Sequence, residues 1–400
     1  MKLAHIADPH LGIRQYNRQN AAGTNQREAD VARAFRIAID GVIADRPDVV
    51  VVAGDLFHSV RPTNAAIVFA FQQFQRLREA LPDAPVVLIA GNHDTPRLAE
   101  TGSILRLFEE VGVHVVPSQA RRLEFPELDL SIFAVPHQAL VGADRPLLRP
   151  EGDARYRVLL LHGEIEGVFP GTGDRSDYGS APVGMRELGA DDWSYVALGD
   201  YHVQFQVDKR AWYAGALEYV SPNFWSDLQR ETELRPKKEL QKGGKGWLLA
   251  DLDTGEVKRR PVPWAREIVD LDPVEAAGMS AATLDEAIAA RIASLEKRGG
   301  IDGKIVRLRV WNVPRHIARE LDHAAIRGYK SAALNFNLDL RRPATRRTVG
   351  VGAPGRRQTL SELVREYLEK RPLPDNVHRE EFVRVGMELM DVVERELVET

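Results

Sequence analysis

Five short apolar runs in this chain each break off at a cluster of Asp, His or Asn, and that recurrence narrows the possible folds sharply. Leu3–Ala7 runs into Asp8-Pro9-His10, Val49–Ala53 into Gly54-Asp55, and Val86–Ala90 into Gly91-Asn92-His93-Asp94. Val158–Leu161 leads to His162, and Tyr195–Leu198 to Gly199-Asp200-Tyr201-His202. Runs this continuously apolar are expected of strands covered on both faces. Helical patterns at Arg27–Arg46 and Pro62–Leu81 alternate with them, which predicts an α/β layered fold. In the second helix Pro62 is expected near a first-turn position, with Ile67, Phe71 and Phe74 along one stripe. Ligands collect outside the carboxyl ends of such strands, so all five ends aim their polar side chains at one mouth of a β-layer. A lone Asp-x-His says little. Five clusters in order, each at a strand end, predict a shared dinuclear metal site.

Composition limits what that site can hold. The 400 residues include no cysteine, which excludes disulfides and thiolate ligands and leaves His, carboxylate and amide donors. The length suggests roughly two or three domains. No apolar run is long enough to span a membrane, and the amino terminus opens directly on a strand rather than a secretory signal; a cytoplasmic setting is expected. The formal net charge of −4 gives no global pull on nucleic acid, so any such surface must be a local patch.

Beyond the motifs, β-type segments are expected around Trp212–Tyr213 and Trp247–Leu252, closing a first domain over residues 1–262. A small α/β domain is expected over residues 263–342. It has a strand at Ile268–Leu271, a helix bearing Leu284, Ile288, Ile292 and Leu295, and alternating strands Val306–Val310 and Leu334–Leu340. Residues 343–358 are rich in Arg, Pro and Gly and read as a linker, compatible with a phosphate-contacting arm. Residues 359–400 carry two helices. The first follows a Thr359/Glu362 capping-box pattern, and the second has a stripe of Phe382, Val385, Leu389, Val393 and Leu397 interrupted by Gly386. Two helices of this size need further apolar surface to pack on, from this chain or a partner.

The order D-x-H, G-D, G-N-H-D, H and G-x-x-H resembles the calcineurin-like metallophosphoesterases. Within them, Asp55-Leu56-Phe57-His58 followed by Arg61-Pro62-Thr63, and the segment Ala214–Tyr219, are similar to the SbcD-type, Mre-like group of DNA double-strand-break repair nucleases. The resemblance implies a four-layer β-sandwich flanked by helices, a small α/β capping domain and a helical tail. It implies that Asp8, His10, Asp55 and His202 hold one metal ion, that Asn92, His162 and Asp200 hold a second, and that Asp55 bridges them. In such sites the two ions lie about 3.5–4 Å apart, share a water that becomes the nucleophile, and neutralise the phosphate oxygens. His93 would donate to a phosphate oxygen or protonate the leaving group, with Asp94 orienting it. His58 and Arg61 would approach the substrate backbone. The implied cofactors are two divalent ions, Mn²⁺ foremost and Mg²⁺ as the alternative. The implied partners are DNA, an SbcC-like SMC-type coiled-coil ATPase docked on the tail, and a second copy of the chain through helices of the first domain.

One position departs from the pattern. The family has Gly-His-x-His where this chain has Gly199-Asp200-Tyr201-His202. With a carboxylate there, ligands, ions and hydroxide sum to about zero, against about +1 with a neutral His. More oxygen ligation favours Mn²⁺ or Mg²⁺. Two other functions are compatible with the sequence: a stand-alone phosphoesterase for nucleotides or small diesters, and a weakly catalytic scaffold for an ATPase. Lys237, Lys238, Lys242, Lys245, Lys258, Arg259 and Arg260 are the basic residues available for phosphate contacts. His5, His114, His137, His316, His323 and His378 lack strand-end context and read as structural or surface residues.

Overall fold

The computed structural model describes residues 1–96, 102–168, 181–235, 244–343, 360–373 and 377–396. Its strands are β1 (Lys2–Ile6), β2 (Val49–Ala53), β3 (Val86–Ile89), β4 (Val113–Val116), β5 (Arg121–Phe125), β6 (Leu130–Val135), β7 (Tyr156–His162), β8 (Glu164–Ile165), β9 (Pro182–Val183), β10 (Tyr195–Gly199), β11 (Phe205–Asp208), β12 (Ala211–Tyr213), β13 (Gly246–Asp251), β14 (Val257–Pro261), β15 (Ile268–Glu275), β16 (Ile305–Trp311) and β17 (Asn335–Leu340). The motif-bearing strands do not share one sheet. β1, β2 and β3 lie in a six-stranded sheet of order β14-β13-β1-β2-β3-β4, whereas β7 and β10 lie in a second of order β11-β12-β10-β7-β6-β5. The apolar runs alone, which aimed all five ends at one β-layer, do not divide them between sheets; the β-sandwich that the resemblance implies does. Fully buried parallel strands look alike in sequence, and nothing within a run says which sheet it joins.

Alternation along each strand explains the layers. Val49, Val51 and Ala53 of β2, with Val87 and Ile89 of β3, pack against Ile132, Ala134, Val158, Leu160, Tyr195 and Ala197 of the second sheet. The intervening Val50, Val52 and Leu88 face the other way, onto Phe35, Ile39, Val42, Phe74 and Leu77. Those residues belong to two helices, α1 (Gln26–Asp45) and α2 (Asn64–Ala80). Across the second sheet, Phe133, Leu159, Leu161, Val196 and Leu198 pack with Trp193 and Leu188. The result is a mixed α/β sandwich of two sheets between helical and loop layers, as the fold-class expectation had it. Each fully buried Val, Leu or Ile contributes about 1.5–3 kcal/mol of transfer free energy.

Local signals set the helix limits. Asn25 caps α1, accepting from the Arg27 and Glu28 amides, and Thr63 caps α2 through Ala66 N. Pro62 therefore precedes the cap instead of occupying the first turn. Phe74 is core, while Ile67 and Phe71 are only partly buried and Val68 is 55% exposed.

The chain divides into two compact units. One comprises Met1–Asp272, Ile288–Leu308 and Asp322–Leu338, the other Pro273–Ala287, Arg309–Leu321 and Asp339–Thr400. β15, β16 and β17 form a three-stranded sheet in that order. In β16, buried Val306, Leu308 and Val310 alternate with less buried Arg307 and Arg309. Arg307 forms two hydrogen bonds with Asp270, at 2.9 and 2.7 Å. The helix expected over Leu284–Leu295 spans Ala281–Ala293, and two further helices, Arg315–Glu320 and His323–Ala332, were not expected from the sequence.

In the second unit, the helices Leu360–Lys370 and Arg379–Glu396 pack together at Gly386, where a Cβ would lie 2.5 Å from Leu368 Cδ1. The glycine that weakened the helical pattern permits the close approach. The expected apolar stripe is not a buried face: Phe382 is half-buried, whereas Val385 and Leu389 are exposed. Thr359, Leu397, the side chain of Val393 and linker residues 344–358 lie outside the described residues. Among the described residues no helix is long and apolar enough to cross a membrane.

The two large sheets come together tightly at their carboxyl ends. His162 Nδ1 donates to the Ala53 carbonyl at 2.8 Å, and a Cβ on Gly199 would overlap that same carbonyl. Gly199→Ala is therefore expected to destabilise the protein by about 1–3 kcal/mol, read as a lower urea midpoint; an unchanged midpoint would contradict this account of the sheet contact.

Candidate metal centre

The seven expected ligands come from the ends of both sheets; His10, Asp55, Asn92, Asp200 and His202 line one pocket, and Asp8 and His162 lie against them. Asp8, His10, Asp55, Asn92 and His162 are buried, and Asp200 and His202 are partly so. Backbone bonds fix the first two loops together: Asp8 N donates to the Gly54 carbonyl at 3.2 Å, His10 N to Asp55 O at 2.9 Å and Leu11 N to Leu56 O at 2.8 Å. The ligand positions bend the chain hard. Asp8, His10 and Asp55 have φ of 49°, 48° and 50°, and Asp200 has 105°. Left-handed backbone is uncommon for residues with a Cβ and clusters at functional sites.

Hydrogen bonds specify the donor atoms. A carbonyl only accepts, so the bond to Ala53 puts the His162 proton on Nδ1 and leaves a lone pair on Nε2. That Nε2 lies 3.7 Å from Asp55 Oδ2 and 3.6 Å from Asp200 Oδ1. The Asn92 Oδ1 is 3.1 Å from the same nitrogen, so the amide presents its oxygen, the atom able to coordinate a cation, beside the His162 lone pair. His10 Nε2 lies 3.5 Å from Asp55 Oδ2 and 3.0 Å from His202 Nε2. Asp200 N donates to both Asp8 oxygens, at 3.1 and 3.3 Å. Donor atoms of Asp8, Asp55 and His162 all lie within 4.8 Å of one another, as do those of His10, His58 and His93.

The electrostatics fit cations. Burial, then repulsion from Asp200, pushes the Asp8 carboxyl well above the usual range. Burial, then Asp94 and Asp8, does the same to Asp55. Asp200 is pushed up to about 7, by burial and then by Glu164. Burial lowers the imidazoles: His162 to about 3, His58 to about 4, and His10 and His202 well below their ordinary value. Crowded carboxylates and neutral imidazoles form a donor set suited to divalent ions.

The outer residues vary in placement. His93 lines the pocket beside His58, the two rings stacked with centroids 5.1 Å apart. His93 Nδ1 donates to the His58 carbonyl at 2.9 Å. Asp94, expected to orient His93, directs its carboxylate to the backbone amides of Leu56 and Phe57, both at 3.0 Å, and Gly91 at 3.2 Å. It holds the loops after β2 and β3. Arg61 is exposed and absent from the pocket lining. The loop Glu164–Pro182 begins and ends as the short parallel pair β8 and β9, with residues 169–180 outside the described set.

Of the seven basic candidates, four lie among the described residues. Lys245 is buried, 2.9 Å from Glu231 Oε1. Arg260 pairs with Asp45, Lys258 with Glu256, and Lys237, Lys238 and Lys242 lie outside the described residues. His5 is a core residue, 3.1 Å from the Tyr195 hydroxyl. Glu164, the start of the loop that sequence reading set at the substrate entrance, also lines the pocket, as do Tyr201, Ser221, Asp227 and Arg230, to which sequence reasoning gave no role. Only the short distance in sequence from His202 marks Ser221 and Asp227.

A family model described as calcineurin-like phosphoesterase matches residues 1–204. The chain belongs to that family. It is 30% identical over 264 residues to the DNA double-strand break repair protein Mre11 of Sulfurisphaera tokodaii, a match covering 62% of this chain and 59% of that protein. It is 27% identical to the protein of that name from Methanocaldococcus jannaschii, covering 68% and 69%. It is 39% identical to that from Methanococcus maripaludis, covering 63% of each. The matches thus span 59 to 69% of these relatives' lengths.

Cation binding to this site must displace protons from the raised carboxylates, whereas the imidazoles are already neutral. Affinity should therefore rise with pH between 6 and 8, on the order of tenfold per pH unit for each proton released. Calorimetric titration with Mn²⁺ at pH 6, 7 and 8 measures this, and a flat profile would contradict the proton competition.

Proposed function

We propose that this chain is a divalent-metal-dependent nuclease that hydrolyses phosphodiester bonds of DNA. The observation that carries the reading is the clustering of seven buried or half-buried donors from the ends of two sheets, five of them (His10, Asp55, Asn92, Asp200 and His202) lining one pocket with His58 and His93. The naming of the relatives as DNA double-strand break repair proteins supports the choice of substrate.

In this reading Asp8, His10, Asp55 and His202 hold one ion, and Asp55, Asn92, His162 and Asp200 hold the second. When bound, such a pair supplies Lewis acidity toward phosphate and a water of lowered pKa. The chain does the rest. Asp94 fixes the two loops that present Asp55 and Asn92. His93, anchored through Nδ1, has Nε2 left to work in the pocket: bare in the neutral ring, it takes up a proton, and the doubly protonated ring then donates that proton to a phosphate or leaving oxygen. His58 backs that ring and limits its rotation. Asp200 stands within reach of His162 Nε2, which favours a filled second site over a half-formed one and supports the preference for Mn²⁺ or Mg²⁺.

The wider assignment belongs to the same proposal: a nuclease domain over residues 1–262, a capping domain over 263–342 that helps hold DNA, a linker over 343–358, and a tail over 359–400 that docks an SbcC-like SMC-type ATPase. Tyr367 and Leu389 of the tail are 61% and 63% exposed, apolar surface that suits a partner. The partly exposed Ile67, Val68 and Phe71 of α2 suit a homodimer contact. Break repair in the cytoplasm is the setting this implies.

Single-turnover assays with Mn²⁺ on hairpin DNA and on a small chromogenic diester test the substrate. DNA cleavage is expected; cleavage of the diester alone would point to a small-molecule phosphoesterase, and cleavage of neither to a scaffold. Asp200→His restores the family residue, and its metal titration is expected to shift preference away from Mn²⁺. Matching preference and activity in the two proteins would remove the tuning role of Asp200.

A further inference from the structure

Behind His202 lies a buried polar chain that the metal assignment does not use. His202 Nδ1 is 2.6 Å from Ser221 Oγ, and Ser221 Oγ donates to Asp227 Oδ2 at 2.8 Å. Lys245 closes the arrangement. Its Nζ donates to the His202 carbonyl at 2.6 Å, lies 3.8 Å from Asp227 Oδ2 and 2.9 Å from Glu231 Oε1, and sits 4.5 Å from the centre of the Tyr219 ring. Asp227 and Glu231 are one turn apart on the helix Trp225–Leu234, so both carboxylates face the ammonium. A buried lysine holds its charge only where it is paired, and this one is paired with two carboxylates.

The chain of bonds has a direction. An ionised carboxylate has lone pairs alone, so the serine proton goes to Asp227. The serine oxygen then accepts, and what it accepts is the proton of His202 Nδ1. The Nε2 of His202 is left bare on the side where it faces His10 and the pocket. We propose that Ser221 and Asp227 are positioning residues that hold His202 in its Nδ1–H form, with Lys245 fixing both the charge of Asp227 and the backbone of the ligand. The inference rests on the metal reading above, and it adds a second layer of residues to it. Outer partners of this kind set ligand tautomer and ring orientation, and their loss weakens metal affinity about 10- to 100-fold.

The test uses the full chain. With ¹⁵N-labelled histidine and no added metal, the ring signals are read by long-range ¹H–¹⁵N correlation, and His202→Gln assigns the one of interest. That ring is expected in the Nδ1–H form in wild type and in Ser221→Thr, and not in Ser221→Ala. Mn²⁺ titration followed by electron paramagnetic resonance is expected to lose one site's affinity by about 10- to 100-fold in Ser221→Ala and Asp227→Ala, with the other site unchanged and Ser221→Thr close to wild type. An Nε2–H ring in wild type, or wild-type Mn²⁺ binding in both alanine variants, overturns the proposal. A wild-type chain that takes up no Mn²⁺ overturns the metal reading instead, and the tautomer measurement then judges the relay by itself.

Discussion

The hydrogen bond from His162 Nδ1 to the Ala53 carbonyl joins the two halves of the site. It crosses from the end of β7 in one sheet to the end of β2 in the other. It also leaves the His162 Nε2 lone pair free to face Asp55 and Asp200, by committing the ring proton to Nδ1. Gly199 makes room for the contact, since a side chain there would occupy the space of the same carbonyl. If the sheets stood further apart, Asp8 and Asp55 on one side would not reach His162 and Asp200 on the other.

The site is costly to the folded protein in electrostatic terms. Three carboxylates share a buried region with imidazoles that burial keeps neutral, and several of these residues sit on left-handed backbone. Backbone amides offset part of this: Asp200 N faces Asp8, His93 N faces Asp55, and three amides face Asp94. Such strain persists where surrounding structure over-determines it, and here two fully packed cores flank the strands that carry it.

Much of this was legible in sequence. The limits of β2 match the apolar run Val49–Ala53 residue for residue, and each motif shows at a strand end because the apolar run there gives way to polar residues that stay buried. What escaped was information carried by distant residues. The assignment of β7 and β10 to a second sheet depends on β5 and β6 beside them, and Arg121–Phe125 alternates charge and apolar residues at an edge with no motif to mark it. Lys245, in a Gly-rich stretch, looks like solvated surface; only the folded positions of Asp227 and Glu231 make its burial possible. Asp94 has the composition of a catalytic residue, and its three amide partners give it a structural task.

The proposed ligands run from residue 8 to residue 202, and no short segment contains a complete set. Their assembly requires loop closures over most of the domain, including the docking of two separately hydrogen-bonded sheets. Partly folded chains therefore offer scattered donors in place of a chelating cage, and tight uptake of an ion follows completion of the sandwich. Occupancy of the proposed site would thus be a record of finished folding, and through thermodynamic linkage a bound ion would brace the whole domain.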